Sequence, residues 1–306
     1  MIESGSLSSS VDPLRFGLPP HTAVRYERPD PALEGLIADY HMLDSEPSAV
    51  QNAVEWLLPN SAAIRVILAE QPIKLTLAET HYDPLPVAAF FGTTSRPMKM
   101  EVSGGLTVGI NLTACGFARL LRTNAAKLRD RIVPLSTLLA PELVEQLVSS
   151  LRDHDRGRRI KAILDGFFQP LMKKPHRDEP DLIRISALLL DDRVDSLTDA
   201  AEQVGIPSHR LLRLSQRHFG FPPKTLLMRG RLLRSIIALK QADGRTGYGA
   251  IDHAYCDDSH FVRDAKRFLG MTPRQFLQLE TPYLDAVLRA RTMVLGSTMA
   301  ALHQPD

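Results

Sequence analysis

The first third of the chain alternates between apolar and polar positions with a period of two. The segments IKLTLAET, MKMEVSG and LTVGINLTA each place every second residue on one apolar face. Turn-forming pairs such as Asp83-Pro84 and Gly104-Gly105 lie between these segments. Short alternating segments separated by turns are typical of antiparallel strands. The pattern therefore predicts a β-rich domain, either an antiparallel sheet or a small barrel, over residues 21–139.

Beyond Gly116 the apolar residues recur at helical spacing instead. Leu143, Leu147 and Leu151 form one such stripe, and similar stripes continue to about residue 190. We therefore predict a helical connector over residues 140–192. A last helical stretch, 283–295, lies within a C-terminal helical tail, 281–306, to which the pattern assigns no role. The Ser- and Gly-containing residues 1–20 predict a flexible tail.

Two segments in the last third share one order of features. A small residue and a turn are followed by an apolar residue that fills the space between two helices, here called the plug. A residue that caps a helix comes next, and then the helix itself, which has a basic outer side. In the first segment Gly205 permits a tight turn and Ile206 is the plug. In the second, Ala254 is the small residue, Tyr255 is the plug and Asp257 or Asp258 caps the helix. This order is the helix-turn-helix layout. A long apolar helix over 224–240 is expected to join the two units.

The charge distribution supports a functional difference between the two parts of the chain. The formal net charge is only +2, so the total says nothing about nucleic acid. From Ser208 to Ala242, however, there is no Asp or Glu, whereas eight Arg and Lys residues occur. Such a stretch predicts a local basic surface. The alternative is an ordinary solvated helix face, although such faces usually carry both signs of charge.

At this point the sequence resembles a known family. The segments AEQVGIPSHRLLRL, HFGFPPKTLLMRGRLLRSIIAL and YCDDSHFVRDAKRFLGMTPRQF resemble the DNA-binding domain of AraC/XylS-type transcription regulators. The resemblance covers residues 196–278, within a predicted DNA-binding domain of 193–280. More weakly, residues 21–139 resemble the sensor-type domain that precedes some such domains. The implied fold class is α+β: a β-rich sensor or dimerisation domain, a helical connector, and an all-α domain with two helix-turn-helix units.

The resemblance also implies which residues contact DNA, since each unit would present one recognition helix to a major groove. Arg263 is expected to read a base edge and Lys266 to meet phosphate. Leu212 either meets a thymine methyl group or faces less outward than its position implies. The expected DNA-contacting residues are Ser208, His209, Arg210, Leu212, Arg213, Arg217, Ser259, His260, Arg263, Lys266 and Arg267.

Other chemistry finds little support in the sequence. No catalytic constellation, metal-ligand set or cofactor motif is recognisable, and Cys115 is interpreted as a buried small residue. No apolar run is long enough to span a membrane, and the first residues do not form a secretory signal, so we expect a cytoplasmic protein. The expected partners are double-stranded DNA, a second copy of the chain, a small-molecule effector and RNA polymerase. The alternative is an enzymatic or ligand-binding β-domain carrying a helical interaction module that does not read DNA.

Overall fold

The computed structural model describes most of the chain, namely residues 1–50, 53–69, 71–101, 104–152, 157–190, 197–242, 251–252, 255 and 257–300. Its N-terminal part is built from ten strands. These are β1 Thr22–Glu27, β2 Ile37–Ser45, β3 Val54–Leu57, β4 Ala63–Leu68, β5 Lys74–Leu77, β6 Thr80–Tyr82, β7 Ala88–Phe91, β8 Met98–Glu101, β9 Gly105–Leu112 and β10 Ile132–Pro134.

The strands form two antiparallel sheets, as the alternating pattern predicts. One sheet has the order β1-β2-β9-β4-β7-β10, and the other has the order β3-β8-β5-β6. Apolar side chains of both sheets meet in one cluster, with Ile67 and Phe91 from the first and Leu75 and Met98 from the second. Burial of these alternate residues between the sheets explains why the sequence repeats with a period of two.

The remainder of the chain is helical. Its helices are α1 Ala114–Leu120, α2 Pro141–Arg152, α3 Ile160–Met172, α4 Glu179–Leu190, α5 Leu197–Val204, α6 Ser208–Leu214, α7 Pro223–Gln241, α8 Asp258–Leu269, α9 Pro273–Leu277 and α10 Pro282–Leu295. None of the described helices has the length and hydropathy needed to cross a bilayer. The predicted α+β class, with a β-rich N-terminal part and a helical C-terminal part, is confirmed.

Residues 1–20, expected to form a flexible tail, instead pack on the rest of the chain. The Phe16 side chain is fully buried, in a cluster with Val24 of β1 and Leu295 of α10. Gly5 makes an isolated parallel bridge with Arg25 of β1. The Ser and Gly composition suggested a loose segment, but the buried aromatic ring and the backbone bridge fix it.

The C-terminal helix α10, to which the sequence assigns no role, lies against the β-rich domain. Arg291 forms a buried ion pair with Asp39 of β2, with 2.7 Å between Nη2 and Oδ2. Glu55 of β3 accepts a 3.3 Å hydrogen bond from the backbone N–H of Tyr283. Lys240 of α7 also pairs with Asp285 of α10 at 3.1 Å. The tail therefore connects the β-rich domain with the helical part.

Candidate nucleic-acid interface

The first helix-turn-helix unit consists of α5, a three-residue turn and α6. Gly205 has a positive φ of 69°, which a glycine adopts without the steric cost of a Cβ. The N–H groups of Gly205 and Ile206 both donate to the carbonyl of Ala201, which closes the C-terminal end of α5. Ile206 is buried as the predicted plug.

The outer side of α6 carries only part of the predicted set of DNA-contacting side chains. Ser208, His209 and Arg213 are exposed, and Leu212 is half-buried. Leu212 therefore faces outward less than its position in the pattern implied. Arg217, in the segment after α6, is also exposed.

Arg210 differs from these residues because its guanidinium group is bound within the protein. Its Nε donates to Asp181 Oδ2 at 2.8 Å, and its Nη2 pairs with the same carboxylate. Arg184 reaches Asp181 as well, and it donates to the carbonyl of Val204 at 2.9 Å. Burial by itself would raise the pKa of Asp181, but the hydrogen bonds from Arg210 and Arg184 outweigh burial and hold that pKa below its ordinary value. Arg210 thus ties α6 to α4.

The segment after α6 is wound differently from an α-helix. Residues Ser215–Phe219 form a π-helical turn that ends at Gly220, whose φ is 85°. Ser215 is fully buried, and its hydroxyl has no hydrogen-bond partner among the residues that the structure describes. His218 is turned inward, where its Nε2 lies 3.3 Å from Asp178 Oδ2. Burial lowers the pKa of His218 to about 4, so the ring is neutral at physiological pH.

The acid-free stretch is less of a basic surface than its composition suggested. Arg229 and Arg231 of α7 are buried. Arg229 donates to the carbonyl of Thr94 at 2.9 Å and to that of Asn60 at 3.2 Å, both in the β-rich domain. The guanidinium group of Arg231 lies 5.5 Å from the centre of the Tyr255 ring. These two cations contribute to packing between parts of the protein and do not face solvent.

The second unit is described at residues 251–252, at Tyr255 and from Asp257 onward. Its predicted small residue, Ala254, lies outside the described residues. Asp257 caps α8 as predicted, since its Oδ1 accepts a 2.7 Å hydrogen bond from the N–H of His260. Phe261 and Phe268 on the inner side are almost completely buried.

The outer side of α8 presents most of its predicted residues to solvent. Ser259, Arg263, Lys266 and Arg267 are exposed. Within the described part of the chain, Arg263 has neither a hydrogen bond nor an ion pair, and the neighbouring Asp264 is buried against the hydroxyl of Tyr255 at 3.2 Å.

Two side chains of α8 also contact aromatic rings. The His260 ring packs on Tyr255, with 5.1 Å between ring centres, and its Nε2 lies 3.9 Å from Asp264 Oδ2. Arg267 is exposed, but its guanidinium carbon lies 5.2 Å from the centre of the Phe268 ring. The predicted reader His260 is therefore turned partly inward.

A cavity of about 550 Å³ lies between the β-rich domain and the helical part. Leu36, Ala62 and Cys115 border it on one side, and Phe219 and Arg229 border it on the other. Cys115 is buried as expected, and burial raises the pKa of its thiol to about 11. No sequence motif marked this cavity, because its walls come from segments far apart in the chain.

Charge at the cavity is unevenly balanced. Arg119 is neutralised by Glu179 through two hydrogen bonds of 2.6 and 2.7 Å. Among the described residues, Arg229 instead donates to carbonyl groups, its Nε has no hydrogen-bond partner, and Asp130 is the acid whose charge acts on it. Burial lowers the pKa of Arg229 to about 10, so the guanidinium remains charged at neutral pH.

Comparison with known proteins places the helical part in a recognised group. Residues 183–279 match the family described as "Helix-turn-helix domain". A search of curated protein sequences finds no match. A structure of ToxT from Vibrio cholerae is 15% identical, with 84% of this chain and 97% of that chain covered and a TM-score of 0.43. The AraC-like transcriptional activator CuxR is 12% identical, with coverage of 72% and 89% and a TM-score of 0.24. At these sequence identities and TM-scores, neither structure contributes to the assignment. On the family match, residues 183–279 form a helix-turn-helix domain of the AraC type.

Proposed function

We propose that this chain is a transcription regulator that reads duplex DNA through α6 and α8 and that carries out no catalysis. The observation that carries the proposal is the exposed, unpaired Arg263 on α8, within a domain whose family binds DNA. An arginine fork can pair with the O6 and N7 atoms of guanine in the major groove. Ser208, His209 and Arg213 provide the matching surface on α6.

The test is selection of binding sites from a random duplex pool with the full chain at physiological salt. We expect a defined motif with two half-sites, because two recognition helices enter successive grooves. Lys99→Ala is the matched control, since Lys99 is an exposed base on β8 of the other domain. This variant should select the same motif. Equal affinity of the wild-type chain for selected and random DNA would contradict the proposal.

The cavity between the domains supports control by a small-molecule effector. A ligand there would touch both the β-rich domain and the helix-turn-helix domain, so its binding would favour one arrangement of the two. The buried guanidinium of Arg229, which donates to carbonyl groups rather than to a carboxylate, favours an effector with an anionic group.

The effector proposal is tested by thermal unfolding of the full chain with a panel of organic acids of increasing size. A true ligand raises the unfolding temperature with its concentration, because it binds only the folded state. Ser186→Trp narrows the same cavity with a residue that carries no charge and should abolish the effect. Stabilisation that is unchanged in Ser186→Trp would place the binding site elsewhere.

Three further properties belong to this proposal as expectations. They are a homodimer, a cytoplasmic location and a contact with RNA polymerase. Sedimentation of the full chain tests the first, since a sole monomer at micromolar concentration would exclude a stable dimer. A dimer would also place two copies of α6 and α8 on one operator, which raises overall affinity without any new contact.

A further inference from the structure

Three side chains with metal-binding groups meet where α4 begins and the π-helical segment after α6 packs against it. They are His176 and Asp178, just before α4, and His218 in the π-helical segment. One ligand atom from each residue lies within 4.8 Å of the other two. The two histidine rings stand edge to face, with 5.3 Å between their centres.

The distances are close to those that a bound divalent ion requires. His218 Nε2 and Asp178 Oδ2 are 3.3 Å apart, and His176 Nδ1 is 4.0 Å from the same oxygen. Ligands at about 2.0–2.2 Å from a tetrahedral zinc lie roughly 3.3 Å from one another. The first pair therefore already fits, whereas His176 Nδ1 must come closer to both other ligand atoms, by roughly 0.7 to 1.5 Å. His176 lies in the segment between α3 and α4 rather than within a helix, so this adjustment disturbs no helical hydrogen bond. It does replace the 3.2 Å hydrogen bond that Nδ1 accepts from the N–H of Asp178.

The two oxygens of Asp178 have separate surroundings. Arg210 Nη2 lies 3.8 Å from Oδ1, whereas both histidines face Oδ2. Oδ2 is therefore directed at the two imidazole nitrogens that would bind a metal.

We propose that His176, Asp178 and His218 bind a divalent transition metal ion, with Zn²⁺ as its representative. Two imidazoles and one carboxylate are ligands that suit Zn²⁺ and Fe²⁺, and they leave at least one position for water or another ligand. His218 and Asp178 are buried, whereas His176 is about one quarter exposed, with a side-chain exposure of 26%. The ion would therefore enter past His176.

The bound ion would fasten the start of α4 to the segment that follows recognition helix α6. These two parts of the chain are 40 residues apart in sequence. Metal binding would therefore stabilise the helix-turn-helix unit, in addition to the link that Arg210 provides between α4 and α6. The proposal does not depend on whether the chain reads DNA.

The test uses the full chain without a histidine affinity tag, treated with a chelator and then titrated with Zn²⁺ against a chromophoric competitor. We expect one ion per chain at this site and a higher unfolding temperature when Zn²⁺ is present. His176→Ala should weaken binding by at least about tenfold, because loss of even an outer partner of a metal ligand costs about 10–100-fold. Asp178→Asn should also weaken Zn²⁺ binding, because it removes the charged ligand oxygen while the side chain keeps nearly the same size and shape.

His81→Ala is the matched control, since His81 is an exposed histidine on β6 outside the cluster. It should bind Zn²⁺ as the wild type does. Cys115→Ala should also be unchanged, which separates this site from the nearby thiol. If Asp178→Asn fails to fold in the chelator, the partly exposed His176 still decides the matter. Equal Zn²⁺ affinity of His176→Ala and His81→Ala, or no binding by the wild type, would overturn the proposal.

Discussion

The two recognition helices carry similar basic residues, but the protein uses these residues differently. On α6, Arg210 is bound to Asp181, an acid of α4. On α8, Arg263 is exposed and has no ion-pair partner among the described residues, because its acidic neighbour Asp264 is buried against Tyr255. A helix whose outer side is basic in the sequence can therefore carry two kinds of cation, those bound in ion pairs within the protein and those exposed to solvent.

The attachment of the two helices to the protein differs in the same way. Ion pairs with α4 hold α6, whereas the inner side of α8 packs in an apolar cluster with Leu233 of α7, Leu284 of α10 and Leu58 of the β-rich domain. Because α10 also packs on the β-rich domain, the position of α8 depends on the contacts that α10 makes there. We expect substitutions that alter the charge at Asp181 to shift the position of α6. Substitutions that weaken the packing of α10 on the β-rich domain should shift the position of α8.

The largest expected effect concerns Glu55 of β3. It accepts a hydrogen bond from the N–H of Tyr283 in the first turn of α10, the helix that packs with α8 in one apolar cluster. Burial raises the pKa of Glu55 to about 7, so the folded protein keeps this acid neutral where the unfolded chain would ionise it. A raised folded-state pKa gives stability that is present below the ordinary value near 4.5 and is lost as the pH rises through about 7. The full loss is at most about 3 kcal/mol. Glu55→Gln should therefore match the wild type at pH 4.5 and exceed it at pH 8.

Denaturant unfolding of both proteins across this pH range measures the difference. Glu101→Gln is the control, because Glu101 is an exposed acid on β8. The interpretation fails if Glu55→Gln and the wild type lose stability in parallel as the pH rises.

The next effect concerns base recognition by Arg263 of α8. Arg263→Ala should relax the preference at one base position of the half-site that α8 contacts, at a cost of about 1–3 kcal/mol of discrimination. Binding-site selection with the full chain measures the change. Retention of the wild-type preference at every position would show that Arg263 does not read a base.

Arg210→Ala should give the opposite result, although Arg210 stands at a predicted reading position. Its removal leaves Asp181 with Arg184 as its remaining partner and weakens the link between α4 and α6. We expect a lower unfolding midpoint than for Arg213→Ala, with the selected DNA motif unchanged. A motif altered at one base by Arg210→Ala would mean that this side chain leaves Asp181 when DNA binds.

The sequence predicted features that depend on neighbouring residues. The alternating strands, the turn at Gly205 and the cap at Asp257 were all predicted correctly, since each follows from local backbone geometry. It did not predict that Arg229 of α7 points inward, because that helix is buried on more than one side. Nor did it predict the partner of Arg210, which lies 29 residues away in a helix assigned to the connector.

The smallest expected effect concerns Lys266, an exposed residue one turn beyond Arg263 on α8. The main-chain carbonyl of Lys266 accepts from Arg96 of the β-rich domain at 3.3 Å and from the N–H of Gly270 at 3.2 Å. Its ammonium group has no partner in the described part of the chain and can meet a phosphate. Lys266→Ala should weaken binding to all sequences about equally. The slope of log affinity against log salt should become shallower by roughly 0.9, the value for one released counterion. Titrations of selected and random duplexes at several salt concentrations measure both quantities. A loss confined to the selected sequence would assign base reading to Lys266 as well, and α8 would then carry two readers instead of one reader and one phosphate contact.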